Sequence, residues 1–303
     1  MALYKNLDGT TPDKGLGDVL KWHFSRPHRS REQRDFVPPQ VANDGARIAG
    51  TEPTLTWVGH ATWLMRLGGK LIATDPIWSP RVGPIKRTCP PGVALESVPA
   101  PDIVTVSHSH YDHLDIPTLR RIGPSAIYVV PKDVGPLLQR AGLTRVVELD
   151  WWETHLEGDV AITLVPAQHW SIRLPWDRNR RLWGGFVYQA PQATAYHAGD
   201  TAFSEDVFSR IAERFPSIDY ALLPIGAYDP QWFMQAQHMG PEEAGRAWEI
   251  LRARTLVAMH WGTFRLTDEP MSEPPERLLA YWAQHGHDAN RLWISAIGET
   301  RRM

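Results

Sequence analysis

Cysteine is nearly absent: Cys89 is the single one in 303 residues. That excludes an intrachain disulfide and a thiolate-rich structural zinc site, so any metal centre must use nitrogen and oxygen ligands. A dominant charge of one sign is also missing. Lys and Arg total 32 against 34 Asp and Glu, a formal net charge of −2. Nothing in that balance favours nucleic acid as a partner. No apolar run approaches the length of a bilayer span. The stretch from Met1 to Asp8 has neither an apolar segment nor a small-residue cleavage pattern. Low-complexity tracts are absent too. The expectation is a folded cytoplasmic protein.

What is present is a chain with 43% hydrophobic residues, enough for a substantial core, and fourteen Trp. Several of these stand beside metal-type residues, Trp170 among them, which predicts an aromatic-walled pocket. Residues 1–50 form a distinct segment. Arg26, Arg29, Arg31 and Arg34 cluster there, interrupted by Glu32 and Asp35, with Pro38 and Pro39 after them. This reads as an arm wrapping the domain, in preference to a contact with an anionic membrane surface. Residues 51–303 read as one domain.

Strands are predicted at 55–58, 62–67 and 71–74, with Gly68-Gly69 as a hairpin turn. A loop rich in Pro and Gly follows at 76–101, then strands at 103–107, 127–130, 160–165, 186–188, 194–197, 220–223, 256–259 and 292–297. Helices are predicted at 131–141, 204–215 and 276–285, the last stopped by Gly286. Another opens at Pro241-Glu242-Glu243 and presents Ala244, Ala247, Trp248 and Leu251 on one face. Strands come first and helices interleave later. That order predicts an α+β fold of two packed sheets with helices outside.

The chemistry concentrates in His108-Ser109-His110-Tyr111-Asp112-His113, which follows the apolar run 102–107. Three imidazoles and a carboxylate in one loop are ligands that Zn²⁺ and similar metals prefer. A polar loop capped by Asp112 would explain one carboxylate but not three His in six residues. His108 and His110, two apart, can reach one metal, and Asp112 and His113 a neighbouring one. His169, Asp200 and His260 each stand just past an apolar strand, so strand ends on one rim would bring them to the same place. Asp200 is the natural bridge between two ions. Asp112 can orient an attacking hydroxide as well as bind metal. His238, before the Pro241 helix, either donates to a substrate oxygen or leaving alkoxide, or makes a helix-start hydrogen bond. His60 and Asp75 read as supports behind the ligands. His23, His28, His155, His197, His285 and His287 read as structural or surface residues. A two-metal hydrolase is the leading reading.

The loop with its distant His, Asp and His resembles the signature of the metallo-β-lactamase superfamily. The chain is similar to one branch in particular, N-acyl-phosphatidylethanolamine-hydrolysing phospholipase D and its bacterial relatives. The stretches that carry this include Trp57-Val-Gly-His-Ala-Thr62, Thr74-Asp-Pro-Ile77, Ser107 to Asp115, Leu149-Asp-Trp-Trp-Glu153, Gln168-His-Trp170, Ala198-Gly-Asp-Thr201, Gln237-His238 and His260-Trp-Gly-Thr-Phe264. The resemblance implies a four-layer αββα sandwich holding two Zn²⁺ or other divalent ions. His108, His110 and His169 would hold one ion. Asp112, His113 and His260 would hold the other, with Asp200 bridging and His238 near the substrate phosphate. The implied reaction cleaves a phospholipid, or another phosphodiester, on the headgroup side through a metal-bridging hydroxide. Tyr228, Trp232, Phe233 and Met234 would line an acyl groove or pack beneath a loop; both readings stay open. Residues 1–50 match weakly, so peripheral contact with the inner face of a membrane stays open, as does a homodimer. The rivals are a lactonase or other ester hydrolase, and a lipid- or metal-binding protein without turnover.

Overall fold

The computed structural model describes residues 3–12, 14–27, 33 and 35–303. Arg29, Arg31, Glu32 and Arg34 of the basic segment, and His28, lie outside the described residues. Strands β1 (Thr54–Gly59), β2 (Thr62–Leu67) and β3 (Lys70–Thr74) form an antiparallel meander. Gly68 and Gly69 make the second turn with φ of 56° and 74°, values that a two-residue hairpin of this hand requires. A small hairpin, β4 (Arg81–Val82) and β5 (Ile85–Lys86), interrupts the Pro-rich loop. β6 (Ile103–Thr105), β7 (Ile127–Pro131) and β8 (Val146–Leu149) then extend the first sheet in parallel.

The second sheet begins with β9 (Thr154–Glu157), β10 (Val160–Val165), β11 (Gly185–Ala190) and β12 (Ala193–His197), paired antiparallel in order. β13 (Tyr220–Pro224), β14 (Thr255–Met259) and β15 (Leu292–Trp293) add in parallel. β16 (Thr300–Arg302) returns to the first sheet and pairs with β1. Each sheet therefore has seven strands.

The period-two alternation of strands sorts the side chains into layers. Trp63 and Met65 point into the core shared by the two sheets, whereas Leu64 points to the opposite face. Ile72, Ile103 and Val129 likewise face inward, and Leu71, Val104 and Tyr128 face outward. The helices supply the outer layers. Those in chain order are α1 (Leu16–Ser25), α2 (Ala46–Ala49), α3 (Ile116–Ile122), α4 (Gly135–Arg140), α5 (Glu205–Arg214), α6 (Gln231–Met234), α7 (Pro241–Leu251) and α8 (Glu273–Gln284). Leu119 of α3 and Leu138 of α4 cover the outer face of the first sheet. Phe208 of α5, Trp248 of α7 and Trp282 of α8 cover that of the second. The result is the αββα sandwich.

Some elements differ from the sequence reading. The segment 1–50 carries α1 and α2, although its periodicity is weak. β8, β9 and β16 had no strand pattern of their own, and α3 follows the His loop unannounced. β15 ends at Trp293, earlier than a strand over 292–297 would. The start of the chain is tied down by side chains. Tyr4 donates to Asp133 at 2.6 Å, and Asn6, buried, accepts from the Trp183 indole at 3.1 Å.

Candidate metal centre

Strand direction decides which loops meet. β1, β3 and β6 run the same way in the first sheet, and β10, β12 and β14 run the same way in the second. Their C-terminal ends carry His60, Asp75, the 108–113 loop, His169, Asp200 and His260. His60, Asp75 and His260 are each the first residue past a strand, with φ of 56°, 38° and 61°. That left-handed backbone turns each side chain sharply off its strand, at a cost of about 1–3 kcal/mol apiece that the surroundings must hold in place. The two sheets are stitched at this rim, where the His260 backbone N–H donates to the His60 carbonyl at 3.0 Å. Gly199 has φ of 61°, and a Cβ there would lie 2.6 Å from Ser107 Cβ, so only glycine lets Asp200 approach the loop.

Two groups of donor atoms result: His108, His110, His169 and Asp200 in one, His60, Asp112, His113 and His260 in the other, each within a span of 4.8 Å. All but His110 and Asp112 are buried. In the first group His108 Nε2 is 2.8 Å from His110 Nδ1, which is 3.3 Å from His169 Nε2. In the second His113 Nε2 and His260 Nε2 are 3.3 Å apart, and Asp112 Oδ2 is 3.5 Å from His113. Asp200 stands between them. Its Oδ2 lies 3.8 Å from both His108 and His169 and 3.1 Å from His113, while Oδ1 lies 3.0 Å from His260.

The hydrogen bonds behind these atoms set the tautomers. His113 Nδ1–H donates to Asp75 Oδ2 at 2.7 Å. The Ser107 hydroxyl donates to the same oxygen at 2.7 Å and accepts from His108 Nδ1–H at 2.9 Å. His169 Nδ1–H donates to the Gln237 carbonyl at 2.8 Å. In all three Nδ1 is engaged and Nε2 is left aimed at the centre. His60 Nε2–H donates to Asp112 Oδ2 at 3.0 Å. The sequence reading had it as a support; its nitrogen also falls inside the second donor group.

Do these residues suit metal ions? Lone pairs converging at 2.8–3.3 Å in the first group repel unless a cation lies among them. Buried Asp200 Oδ1 accepts no hydrogen bond, although His260 Nε2 is 3.0 Å away. His110 Nε2 and His260 Nδ1 have no partner either. Burial pushes the imidazoles of His108 and His169 well below their ordinary value and that of His110 down to about 4, which keeps them neutral and ready to ligate. His113 and His260 move the other way. Burial opposes their charge, but Asp200 and Asp112 outweigh it and raise His113 well above the ordinary value and His260 to about 9. The site calls for positive charge, and nitrogen and oxygen donors without sulfur suit two divalent ions.

The remaining predicted residues fall as follows. His238 Nδ1 is 3.9 Å from Asp200 Oδ2, without a hydrogen-bond partner. Trp170 packs edge-on against His110, with ring centroids 4.8 Å apart. Trp170, Phe233, Met234 and His238 line a cavity of about 320 Å³ that also reaches His110, Asp112 and Asp200. Tyr228 lines a separate cavity of about 130 Å³ that also borders His238, and it donates to Glu273 at 2.7 Å. Trp232 is 40% exposed, with the Lys21 ammonium 4.7 Å from its ring centre. Sequence reasoning missed Asn6, whose Oδ1 accepts from the backbone N–H of His169 at 3.0 Å, and Trp22, which joins the cavity wall. A polar residue isolated in an arm gives no local signal for such a contact.

A profile of the beta-lactamase superfamily domain matches residues 71–261. An uncharacterized protein of Mycobacterium tuberculosis is 41% identical over 297 residues, 91% of this chain and 77% of its own. The N-acyl-phosphatidylethanolamine-hydrolyzing phospholipase D 1 of Caenorhabditis elegans is 38% identical over 242 residues, 74% of this chain and 68% of its own. A solved metallo hydrolase from the archaeon Ignicoccus hospitalis shares the fold with a TM-score of 0.64 at 24% identity, covering 84% of this chain and 99% of that one.

Proposed function

The chain belongs to the beta-lactamase superfamily and is a metal-dependent hydrolase, and from that premise we propose a di-zinc phosphodiesterase of phospholipase D type. Its substrate on this reading is a lipid resembling N-acyl-phosphatidylethanolamine. The observation that carries the proposal is Asp200, one buried carboxylate with a histidine-rich donor group on either side. The relationship to the Caenorhabditis elegans enzyme supports the choice of bond, as do Lys14 and Arg178 in the cavity beside the metal ligands, since a phosphodiester is an anion.

Two bound divalent ions would supply Lewis acidity toward the phosphoryl oxygens and bring a water's pKa down to about 7. The side chains do the rest. His108, His110 and His169 would hold one ion and Asp112, His113 and His260 the other, with the Asp200 carboxylate available to both groups. Asp112 is kept charged because His113, His260 and His60 outweigh the effect of burial, and its position at the cavity lets it orient the attacking water. His238, kept neutral by burial, offers its N–H to a substrate oxygen or to the departing alkoxide. The water's oxygen forms the new bond to phosphorus, the bond to the headgroup oxygen breaks, and the water's proton ends on the alcohol. On this reading the chain acts from the cytoplasm at a membrane face. Exposed Leu20 and Phe24 beside Lys21 on α1 support such a contact. Among the described residues no helix is long and apolar enough to cross a membrane.

The test is a paired assay of zinc-loaded protein on a chromogenic phosphodiester, on N-acyl-phosphatidylethanolamine in detergent, and on a lactone. Turnover of both diesters is expected. Lactone turnover alone would move the reading to a lactonase. No turnover of any of them, with two ions bound, would leave a binding protein.

A further inference from the structure

The cavity above the metal ligands is not closed by the sandwich alone. Lys14, Val19 and Trp22, from the arm, form part of its lining. Trp22 stacks on Phe233 with centroids 5.0 Å apart, and its indole donates to Asp268 at 2.5 Å. Arg26 donates to the other oxygen of Asp268 at 2.8 Å. The α1 helix is thus fastened over the cavity by Trp22 and by Arg26, the residue just past its end. Val19, 42% exposed, is not packed into the core and lies on the cavity wall.

The same segment carries charge. Arg178, also in the lining, lies 4.6 Å over the Trp170 ring and donates to the backbone carbonyls of Lys14, at 3.0 Å, and Pro12. Lys14 forms no ion pair among the described residues; its ammonium sits 5.5 Å from the Trp232 ring centre. Two cations therefore stand near the metal ligands, and an apolar wall of Val19, Trp22, Phe233 and Met234 faces the same space. At about 320 Å³ the space is at the small end of ligand pockets, which run from about 300 to 1,000 Å³. It has room for one hydrocarbon chain beside the reacting group.

We propose that the arm is the specificity element of the site. Val19 and Trp22 grip a single acyl or alkyl chain, and Lys14 with Arg178 holds the anionic group that the chain carries. The inference rests on the phosphodiesterase reading for the anion, but its test does not need turnover. Zinc-loaded full-length protein is titrated by calorimetry with dodecylphosphonate and methylphosphonate, both below micellar concentration. Wild type should prefer the long-chain probe by at least about a hundredfold, since each buried methylene contributes substantially. Trp22→Ala should cut that preference at least about tenfold. Because Trp22 also anchors the arm, Val19→Asp is the second variant: it loses no core packing and places a charge on the wall. It too should cut the preference about tenfold. Lys14→Glu should weaken both probes severalfold and leave their ratio alone. A preference for the long chain that Val19→Asp leaves intact overturns the wall, and wild-type affinities in Lys14→Glu overturn the anion contact. A wild type without chain preference overturns the whole inference. A protein that passes these tests yet cleaves no diester would sink only the phosphodiesterase reading.

Discussion

Asp75 and His113 share a buried hydrogen bond of 2.7 Å, and neither residue is more than 1% exposed. The same carboxylate receives the Ser107 hydroxyl, which in turn receives His108. One side chain thus fixes a histidine in each donor group. Asp75→Asn keeps the shape but presents an amide, so neither imidazole is held in its ligating tautomer with the same force. Metal affinity should fall roughly 10–100-fold. Competition with a chromophoric chelator measures it; an unchanged dissociation constant would remove Asp75 from this role.

Asp200→Asn tests the bridge. The amide keeps the volume and removes the charge that both groups face. Turnover of the substrate identified in the paired assay should drop by at least about 10²-fold, the scale of losing one strong electrostatic contact in a transition state. Circular dichroism should be unaltered. Near-normal rates with full metal content would falsify the bridging role.

The site was legible because its densest part is local: three histidines and an aspartate within six residues need no long-range inference. His169, Asp200 and His260 were legible through their shared position past apolar strands. The less visible parts depend on partners distant in sequence. β8, β9 and β16 are edge strands, and β15 holds the remaining edge. Thr154–Glu157 and Thr300–Arg302 are largely polar, so pairing with a neighbour makes them strands rather than a pattern of their own. His60 gave one clue, a histidine directly after a strand and a glycine, but its approach to Asp112 depends on how β1 and β6 are ordered in the sheet.

Removing the metals should cost stability as well as activity. Without them Asp75, Asp112 and Asp200 crowd one buried centre with only protonated histidines to balance them. Ions present at 100 times their dissociation constant stabilise the fold by about 2.7 kcal/mol per site. At about 2.1 cal/mol/K of unfolding entropy per residue, 1 kcal/mol moves the Tm of a chain of 303 residues by roughly 1.6 °C, and two sites act together. Treatment with a chelator should therefore lower Tm by about 5–10 °C, and adding Zn²⁺ back should restore it. An identical Tm with and without chelator would mean that the centre is empty in both.

The metal-free protein should also weaken in mild acid. Burial lowers the imidazoles of His110 and His238 to about 4 and that of His60 to about 3, with His108 and His169 also well below the ordinary value. The unfolded chain binds these protons near pH 6.5 and the folded chain does not, so stability is full above 6.5 and falls as the pH drops toward 4. His113 and His260 shift the other way: the folded chain already holds these two protons while the unfolded chain takes them up near pH 6.5, so they partly offset the loss between pH 7.5 and 6 and add no slope below about 5.5. The carboxylates of Asp112 and Asp200 act only at lower pH, since both are held well below 3.8. Urea unfolding of the chelated protein at pH 7.5, 6 and 5 should give steadily lower midpoints. A flat series would mean that the cluster is open to water.

Asn6 links the arm to the centre by one oxygen. Its Oδ1 accepts from the His169 backbone N–H at 3.0 Å and from the Trp183 indole at 3.1 Å, and the residue is buried. Trp183 has a second acceptor, the Ala167 carbonyl at 3.0 Å, whereas the His169 N–H has none besides Asn6. Asn6→Ala therefore orphans one buried donor, the backbone N–H of His169, directly behind the first donor group. The cost should be about 1–3 kcal/mol of stability, and the first donor group should lose affinity because the backbone carrying His169 is no longer held. Metal analysis after dialysis should then find the variant depleted relative to wild type. If stability falls while metal content does not, Asn6 serves the fold alone, and the arm reaches the centre only through the cavity wall.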